Sequence, residues 1–330
     1  MQVSNLVTRN AAGSYGQKAD INNNRGRARS GATWVGDRFI GLSGTSPAPA
    51  KTNVMFYLSI GSLGTAFDFG DLTALTGDTD GTMSSGTRGV AGGGNPGSSP
   101  YGTTDMQYWS ILSRGNAIDS NELNTSRHGI GGNSNGHRGI CAAGGLPPAS
   151  VDTLDMINLV TIQDAIDYGE FGFVVNHNAG CSNGARALHG GGWIGSVSDG
   201  LRVFSFTTHS GTATDYGELG QARSSVRSTD DGNRGVFMGG TTHPGPRVDK
   251  IDYMSIATNG SAADFGEMFT AGGGMATTSD GSRGMMCGGE DLTGSSHYLN
   301  IGTLGKSIEF GDLDASITAA AGPSGAVSGG

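Results

Sequence analysis

The sequence predicts an all-β fold, a seven-bladed β-propeller with four antiparallel strands per blade, running as one domain over residues 1–330. Three observations predict it. Glycine supplies 61 of 330 residues without any G-X-Y period, while charged residues are only 15%; the usual glycine share is about 7%, so this is the composition of a chain with many short strands and tight turns. A phrase recurs, as Asp231-Gly-Asn-Arg-Gly-Val-Phe-Met-Gly-Gly240, Asp280-Gly-Ser-Arg-Gly-Met-Met-Cys-Gly-Gly289 and Ser85-Gly-Thr-Arg-Gly-Val-Ala-Gly-Gly-Gly94, with weaker copies at Asn135–Gly144 and Asn183–Gly192. A second motif keeps the same period: Asp68-Phe-Gly70, Asp119-Ser120, Asp167-Tyr-Gly169, Asp215-Tyr-Gly217, Asp264-Phe-Gly266 and Glu309-Phe-Gly311. The arginine of the first motif falls at 38, 88, 138, 186, 234 and 283, a spacing of 48 to 50 residues. A period of that size marks one supersecondary unit repeated.

Each unit reads as strands A to D. In the copy from Leu219 to Gly266, strand A is Gln221–Arg227, rich in small residues. Asp231-Gly232 makes the A–B hairpin, because such turns need φ > 0. Strand B is Arg234–Gly239. Strand C, Lys250–Ile256, alternates with period two, and strand D is Ala262–Gly266. The same grammar places strand C at 53–60, 104–112, 156–162, 201–207 and 297–302. Val151–Tyr168 is apolar enough for a helix, but it aligns with strands C and D of its neighbours and is read as β. Four-stranded sheets repeated about a ring describe a propeller. Six blades are assigned to 25–70, 71–120, 121–169, 170–217, 218–266 and 267–311. A seventh is assembled from both ends. Residues 312–330 supply its A and B, with Gly325–Gly330 as a strand B ending in Gly-Gly, and 1–17 supply its C and D. Closing the ring this way would remove free sheet edges.

Six blades carry both the arginine and the acid; the composite blade has neither, Ser14 and Ser324-Gly325 standing in their places. Joint loss suggests ion pairs within a blade: Arg38–Asp68, Arg88–Asp119, Arg138–Asp167, Arg186–Asp215, Arg234–Asp264 and Arg283–Glu309. Strand C lies between the two, so the arginine must reach across a face or contact a neighbouring blade instead. An axial ring of arginines binding an anion is the functional alternative.

Other chemistry is sparse. His128, His137, His177, His189, His209, His243 and His297 form no HExxH or comparable metal spacing. Cys141, Cys181 and Cys287 are too few and scattered for a disulfide framework. Asp78-Thr-Asp-Gly81 and Thr229-Asp-Asp-Gly232 offer oxygens to Ca²⁺ but sit where hairpin chemistry already wants Asp-Gly. No nucleophile elbow is present, and no helix follows the glycine runs to bind phosphate. No metal and no cofactor are expected, and the chain is not expected to be an enzyme. A net charge of −9 argues against nucleic acid. No apolar run of about 18 residues spans a membrane, and Met1–Asp20 lacks a signal peptide's apolar core. What remains is surface. The B–C loops are the most individual parts of the repeat, and loops that vary on a rigid scaffold are where binding usually lives. Tyr101, Trp193, His243 and His297 are its candidate binding residues, suited to stacking on a sugar or holding a protein loop, against packing of Trp193 between blades.

The unit with Gly-Gly ending strand B and an aromatic in strand D resembles the kelch repeat over nearly the whole chain. The tryptophan usual in kelch strand D is replaced by Phe69, Tyr168, Tyr216, Phe265 and Phe310. Tyr216-Gly-Glu-Leu-Gly220 also resembles the regulator-of-chromosome-condensation type of propeller. The phrases Ile251-Asp-Tyr-Met-Ser-Ile-Ala-Thr-Asn-Gly-Ser-Ala-Ala-Asp-Phe-Gly-Glu267 and Asp280-Gly-Ser-Arg-Gly-Met-Met286 look like repeats in structural and tail-fibre-type proteins of tailed bacteriophages of marine and cyanobacterial hosts. That resemblance implies a virion component, made in the host cytoplasm without a signal peptide: a tail, fibre or decoration propeller. Its implied partners are other virion proteins and a host-surface glycan or protein. The alternatives are a cellular kelch-like interaction module and a carbohydrate-active propeller enzyme.

Overall fold

The chain is a β-propeller, but with six blades. In the computed structural model, residues 37–42, 44, 52–62, 64–78, 81–98, 101–146, 149–207, 211–289 and 294–313 are described, together with the backbone of 326–329. The first blade is β1 (Arg38–Gly41), β2 (Val54–Ser59) and β3 (Phe67–Asp71). The second is β4 (Gly81–Ser84), β5 (Arg88–Gly92), β6 (Thr103–Ser110) and β7 (Ile118–Arg127), and the third is β8 (Gly131–Ser134), β9 (Arg138–Leu146), β10 (Ala149–Asn158) and β11 (Ile166–Glu170). The fourth is β12 (Ala179–Ser182), β13 (Arg186–Gly190), β14 (Gly200–Ser205) and β15 (Thr214–Glu218), and the fifth is β16 (Arg227–Asp230), β17 (Arg234–Met238), β18 (Lys250–Ser255) and β19 (Ala263–Glu267). The sixth is β20 (Ala276–Ser279), β21 (Arg283–Cys287), β22 (Ser295–Asn300) and β23 (Ile308–Asp312), and the last strand is β24 (Ala326–Gly329). Each sheet runs A-B-C-D in chain order, all antiparallel, except that β24 supplies strand A of the first blade beside β1.

That pairing overturns the seven-bladed expectation. Gly325–Gly330 was expected as a strand B, but its central residues pair with β1, Arg38 opposite Gly329 and Gly41 opposite Ala326. In the second blade Ser85 and Arg88 stand in the same relation, so Ser-Gly-Gly at the end copies the A–B hairpin and not the Gly-Gly of strand B. Among the described residues there is no seventh sheet; residues 314–325 and residues 1–17, the expected other half of that blade, lie outside the described residues, as do 25–36. The inner strands neighbour one another in the order β4, β8, β12, β16, β20, β24 and back to β4. The core follows the same ring. Its six clusters each lie between two adjacent blades, and one joins Phe39 and Phe56 of the first to Met285 and Phe310 of the sixth. Val151–Tyr168 contains no helix; β10 and β11 occupy it.

Both kinds of sheet edge are blunted. At the axis, hydroxyls in one strand A donate to carbonyls of the preceding strand A: Ser134 to Ser84 (2.9 Å), Ser182 to Ser134 (3.1 Å), Ser228 to Gly180 (2.8 Å) and Thr277 to Ser228 (3.0 Å). At the rim, strand D bonds the C–D segment of the next blade. Gly115 N–H donates to Phe69 O, Gly211 to Tyr168, Gly260 to Tyr216 and Gly305 to Phe265, at 2.9–3.1 Å. Strand D can approach this closely because its motif contains a bulge and a glycine. Met55 faces Gly70 but Phe56 faces Asp68, so Phe69 is the extra residue, and it turns into the core. At Gly169, φ is +134° and an added Cβ would lie 2.2 Å from the Gly211 carbonyl oxygen. Only glycine fits there.

Candidate functional site

The repeat arginine sits at the start of strand B, fixed by the hairpin before it. Asp231 Oδ1 accepts the N–H groups of Asn233 (2.8 Å) and Arg234 (2.7 Å), a local turn bond of the kind short polar side chains favour. Asn135, Asn183 and Asp280 do the same for Arg138, Arg186 and Arg283. The guanidinium then leaves its own blade. Arg38 donates to Ile111 O (2.6 Å), Arg88 to Leu159 and Val160 (3.0 and 2.8 Å), and Arg138 to Phe206 (2.8 Å). Arg186 donates to Ala257 O and Asn259 Oδ1 (2.5 and 2.6 Å), Arg234 to Ile301 (2.7 Å), and Arg283 to Ile60 (2.9 Å). Every acceptor lies just past strand C of the next blade, and the last bond returns from the sixth blade to the first. Tyrosines of the arginine's own blade lie under five of the six guanidiniums: Tyr57, Tyr108, Tyr216, Tyr253 and Tyr298, at 4.7–5.7 Å.

The six expected arginine–acid pairs are therefore not brought together: among the described residues no ion pair joins Arg38 to Asp68, Arg88 to Asp119, Arg138 to Asp167, Arg186 to Asp215, Arg234 to Asp264 or Arg283 to Glu309. Register shows why. Arg38 faces Ser59 whereas Asp68 faces Phe56. The two are separated by two strand spacings of about 4.8 Å each and by three residues along the strand. In each arginine Nη1 is taken by a backbone carbonyl of the next blade, so the guanidiniums are held at the blade-to-blade seams. The acids lie exposed at the rim. Asp215 pairs with Arg202 of strand C (2.5 Å), and Asp264 approaches Lys250 (3.7 Å).

The true ion pairs of the interior are different residues. Arg127–Asp155 (2.7 Å) and Arg223–Asp252 (2.8 Å) are fully buried and equivalent: each arginine stands four residues before strand A, of the third and of the fifth blade, and each aspartate lies in strand C of that blade. Asn124 also donates to both oxygens of Asp155. The sequence carries their signal, an arginine four residues before strand A wherever strand C holds an aspartate at its centre, but only two blades show it. A third buried polar group is His189. Asn133 Nδ2 meets its Nε2 (2.9 Å) and Asn178 Oδ1 its Nδ1 (2.8 Å), so the proton sits on Nδ1. Burial lowers its pKa to about 3. The cysteine thiols are buried and unpaired, and burial raises all three, Cys141 to about 12.

Of the four loop candidates, Trp193 and His243 come together. Their rings meet edge to face at 5.0 Å, across the fourth and fifth blades on the B–C face. Tyr101 stands exposed on the second blade. His297 is not a loop residue: it lies in β22, buried, edge-on to Phe269 at 5.4 Å. Its burial lowers its pKa, opposed by Glu309 across the strand pair. The Thr229–Gly232 site is an A–B hairpin, Asp230 Oδ1 accepting Gly232 N–H at 3.0 Å; Asp78–Gly81 was expected at the same position but runs into the start of β4, before strand A and not after it, and its Thr79 and Asp80 lie outside the described residues. Among the described residues no three His, Cys, Asp or Glu side chains cluster as metal ligands, and no helix is long and apolar enough to cross a membrane. A groove of about 260 Å³ between the third and fourth blades is lined by Tyr168, Arg186, Phe204 and Thr212, among others, with no carboxylate. No protein-family model matches the chain, and no curated protein is significantly similar to it.

Proposed function

We propose that this chain is a non-enzymatic docking propeller of a tailed-phage particle, a tail, fibre or decoration component. It would hold other virion proteins or a host-surface glycan or protein. The observation that carries the docking reading is how the repeat spends its polar groups. The arginines, inner hydroxyls and strand-D glycines all go into blade-to-blade contacts. Individuality is left to the loops, where Trp193 and His243 form an aromatic step. Aromatic faces of this kind stack on sugars and anchor protein loops. The virion assignment rests on the repeated phrase and its likeness to phage repeats. Antibody labelling and cryo-EM of purified particles test it: density for a six-bladed ring on the particle is expected, and particles without the chain would refute it. For the binding face, Trp193→Ala with His243→Ala should lower attachment to host cells or to the neighbouring virion protein at least tenfold, a loss of about 1.4 kcal/mol, without moving the melting temperature.

A further inference from the structure

The rim is not six-fold. The first residue of strand D is Phe67, Ile118, Ile166 and Ile308 in the first, second, third and sixth blades, each between 49% and 56% exposed. In the fourth and fifth blades it is Thr214 and Ala263. The four apolar blades are consecutive around the ring, so the side chains form one arc and not a scatter. Leu112, Val160 and Leu304, about equally exposed, extend it along the C–D turns. Single exposed apolar residues need no explanation, but the same strand position kept apolar on four consecutive blades does.

The next residue is the repeat acid, and it divides the blades the same way. Asp215 and Asp264, outside the arc, have cations on their own strand C, Arg202 and Lys250. Asp68, Asp119, Asp167 and Glu309, inside it, are exposed. The strand-C residues opposite them are Phe56, Gln107, Asp155 and His297, and His297 is held neutral by burial. Among the described residues no cation lies within ion-pair distance of these four. Where the rim is apolar, its acids are left without a cation; where it is polar, they are neutralised from within.

We infer that this arc is a second docking surface, distinct from the B–C loop face, and that its occupant is a protein surface presenting lysine or arginine between apolar side chains. Charge complementarity selects that occupant. A second copy of the arc would oppose acid to acid, a costly juxtaposition, and phosphate-bearing nucleic acid or an anionic lipid surface would be repelled in the same way.

The test uses the full chain and a fluorescent synthetic peptide alternating Lys and Leu, followed by anisotropy at low salt. Two controls replace Leu by Ser and Lys by Glu. One variant carries Phe67→Thr, Ile118→Thr, Ile166→Thr and Ile308→Thr, the residue native at 214. A second carries Asp68→Asn, Asp119→Asn, Asp167→Asn and Glu309→Gln. A third carries Asp215→Asn and Asp264→Asn. Each of the first two variants should weaken binding by at least about tenfold. The third should leave it within about twofold, and neither control peptide should bind. Unchanged binding in the apolar variant, or equal losses in all three, overturns the inference. So does sedimentation showing that the wild-type chain self-associates and the apolar variant does not, which would assign the arc to a second copy.

Discussion

The guanidinium of Arg234 donates to Ile301 O of the next blade, whereas the acid expected as its partner, Asp264, approaches Lys250. The count of six arginines and six acids was legible in the sequence; the register that separates them across strand C was not. Arg234→Ala removes a bond to Ile301 O and the stack on Tyr253, and about 1–3 kcal/mol of stability should go with them. Asp264→Asn should cost less than about 0.5 kcal/mol, because an exposed pair is worth little. Urea titrations of the two variants check this, and equal losses would restore the pairing of Arg234 with Asp264. His189 makes a separate prediction. Its folded pKa, about 3, lies below the unfolded value near 6.5. Stability from this residue is therefore full above pH 6.5 and falls as pH drops toward 3, by up to about 5 kcal/mol. Chemical denaturation between pH 7 and 4 should show the decline, and His189→Gln should flatten it.

Strand B of the fifth blade, expected at Arg234–Gly239, is Arg234–Met238, and strand C was legible within about two residues in every blade but the third, because period-two alternation marks it. Strand A was not. Gln221–Arg227 was expected, whereas β16 is Arg227–Asp230. At the axis strand A carries small residues and hydroxyls that reach the preceding strand A's carbonyls, and a run of Ser, Thr and Gly has no periodicity to read. The strand-D motif was found for its acid, but its glycine does the structural work. Gly169→Ala places a methyl against the Gly211 carbonyl at a φ of +134°. It should destabilise by about 2–4 kcal/mol through strain and loss of the rim bonds, a drop readable as a shifted urea midpoint, while Asp167→Asn beside it should be near neutral. The Trp193–His243 contact was half legible: both residues were singled out, but nothing in one dimension shows that loops of adjacent blades bring the rings together.

At the scale of the ring, the period was legible and the number of blades was not. Six repeats of the arginine already made six blades; the error came from reading Ser-Gly-Gly at the end as strand B when it copies the hairpin after strand A. Deleting residues 326–330 would leave β1 with an open edge and remove one member of the inner ring. A fall of at least about 5 °C in melting temperature is expected for a loss of a few kcal/mol in a chain of this size, and an unchanged melting curve would contradict the closure. The closure also has a direction of weakness. Gly329 lies beside Arg38, so β24 ends where β1 begins. Force applied to those two points would not shear the strand pair as a whole. It would peel the pair open one hydrogen bond at a time from that end, the way a zip fastener yields. A pull along that line would therefore load only the terminal bond of the seam at any moment, so the closure would yield to a force that a pull shearing β24 along β1 would withstand.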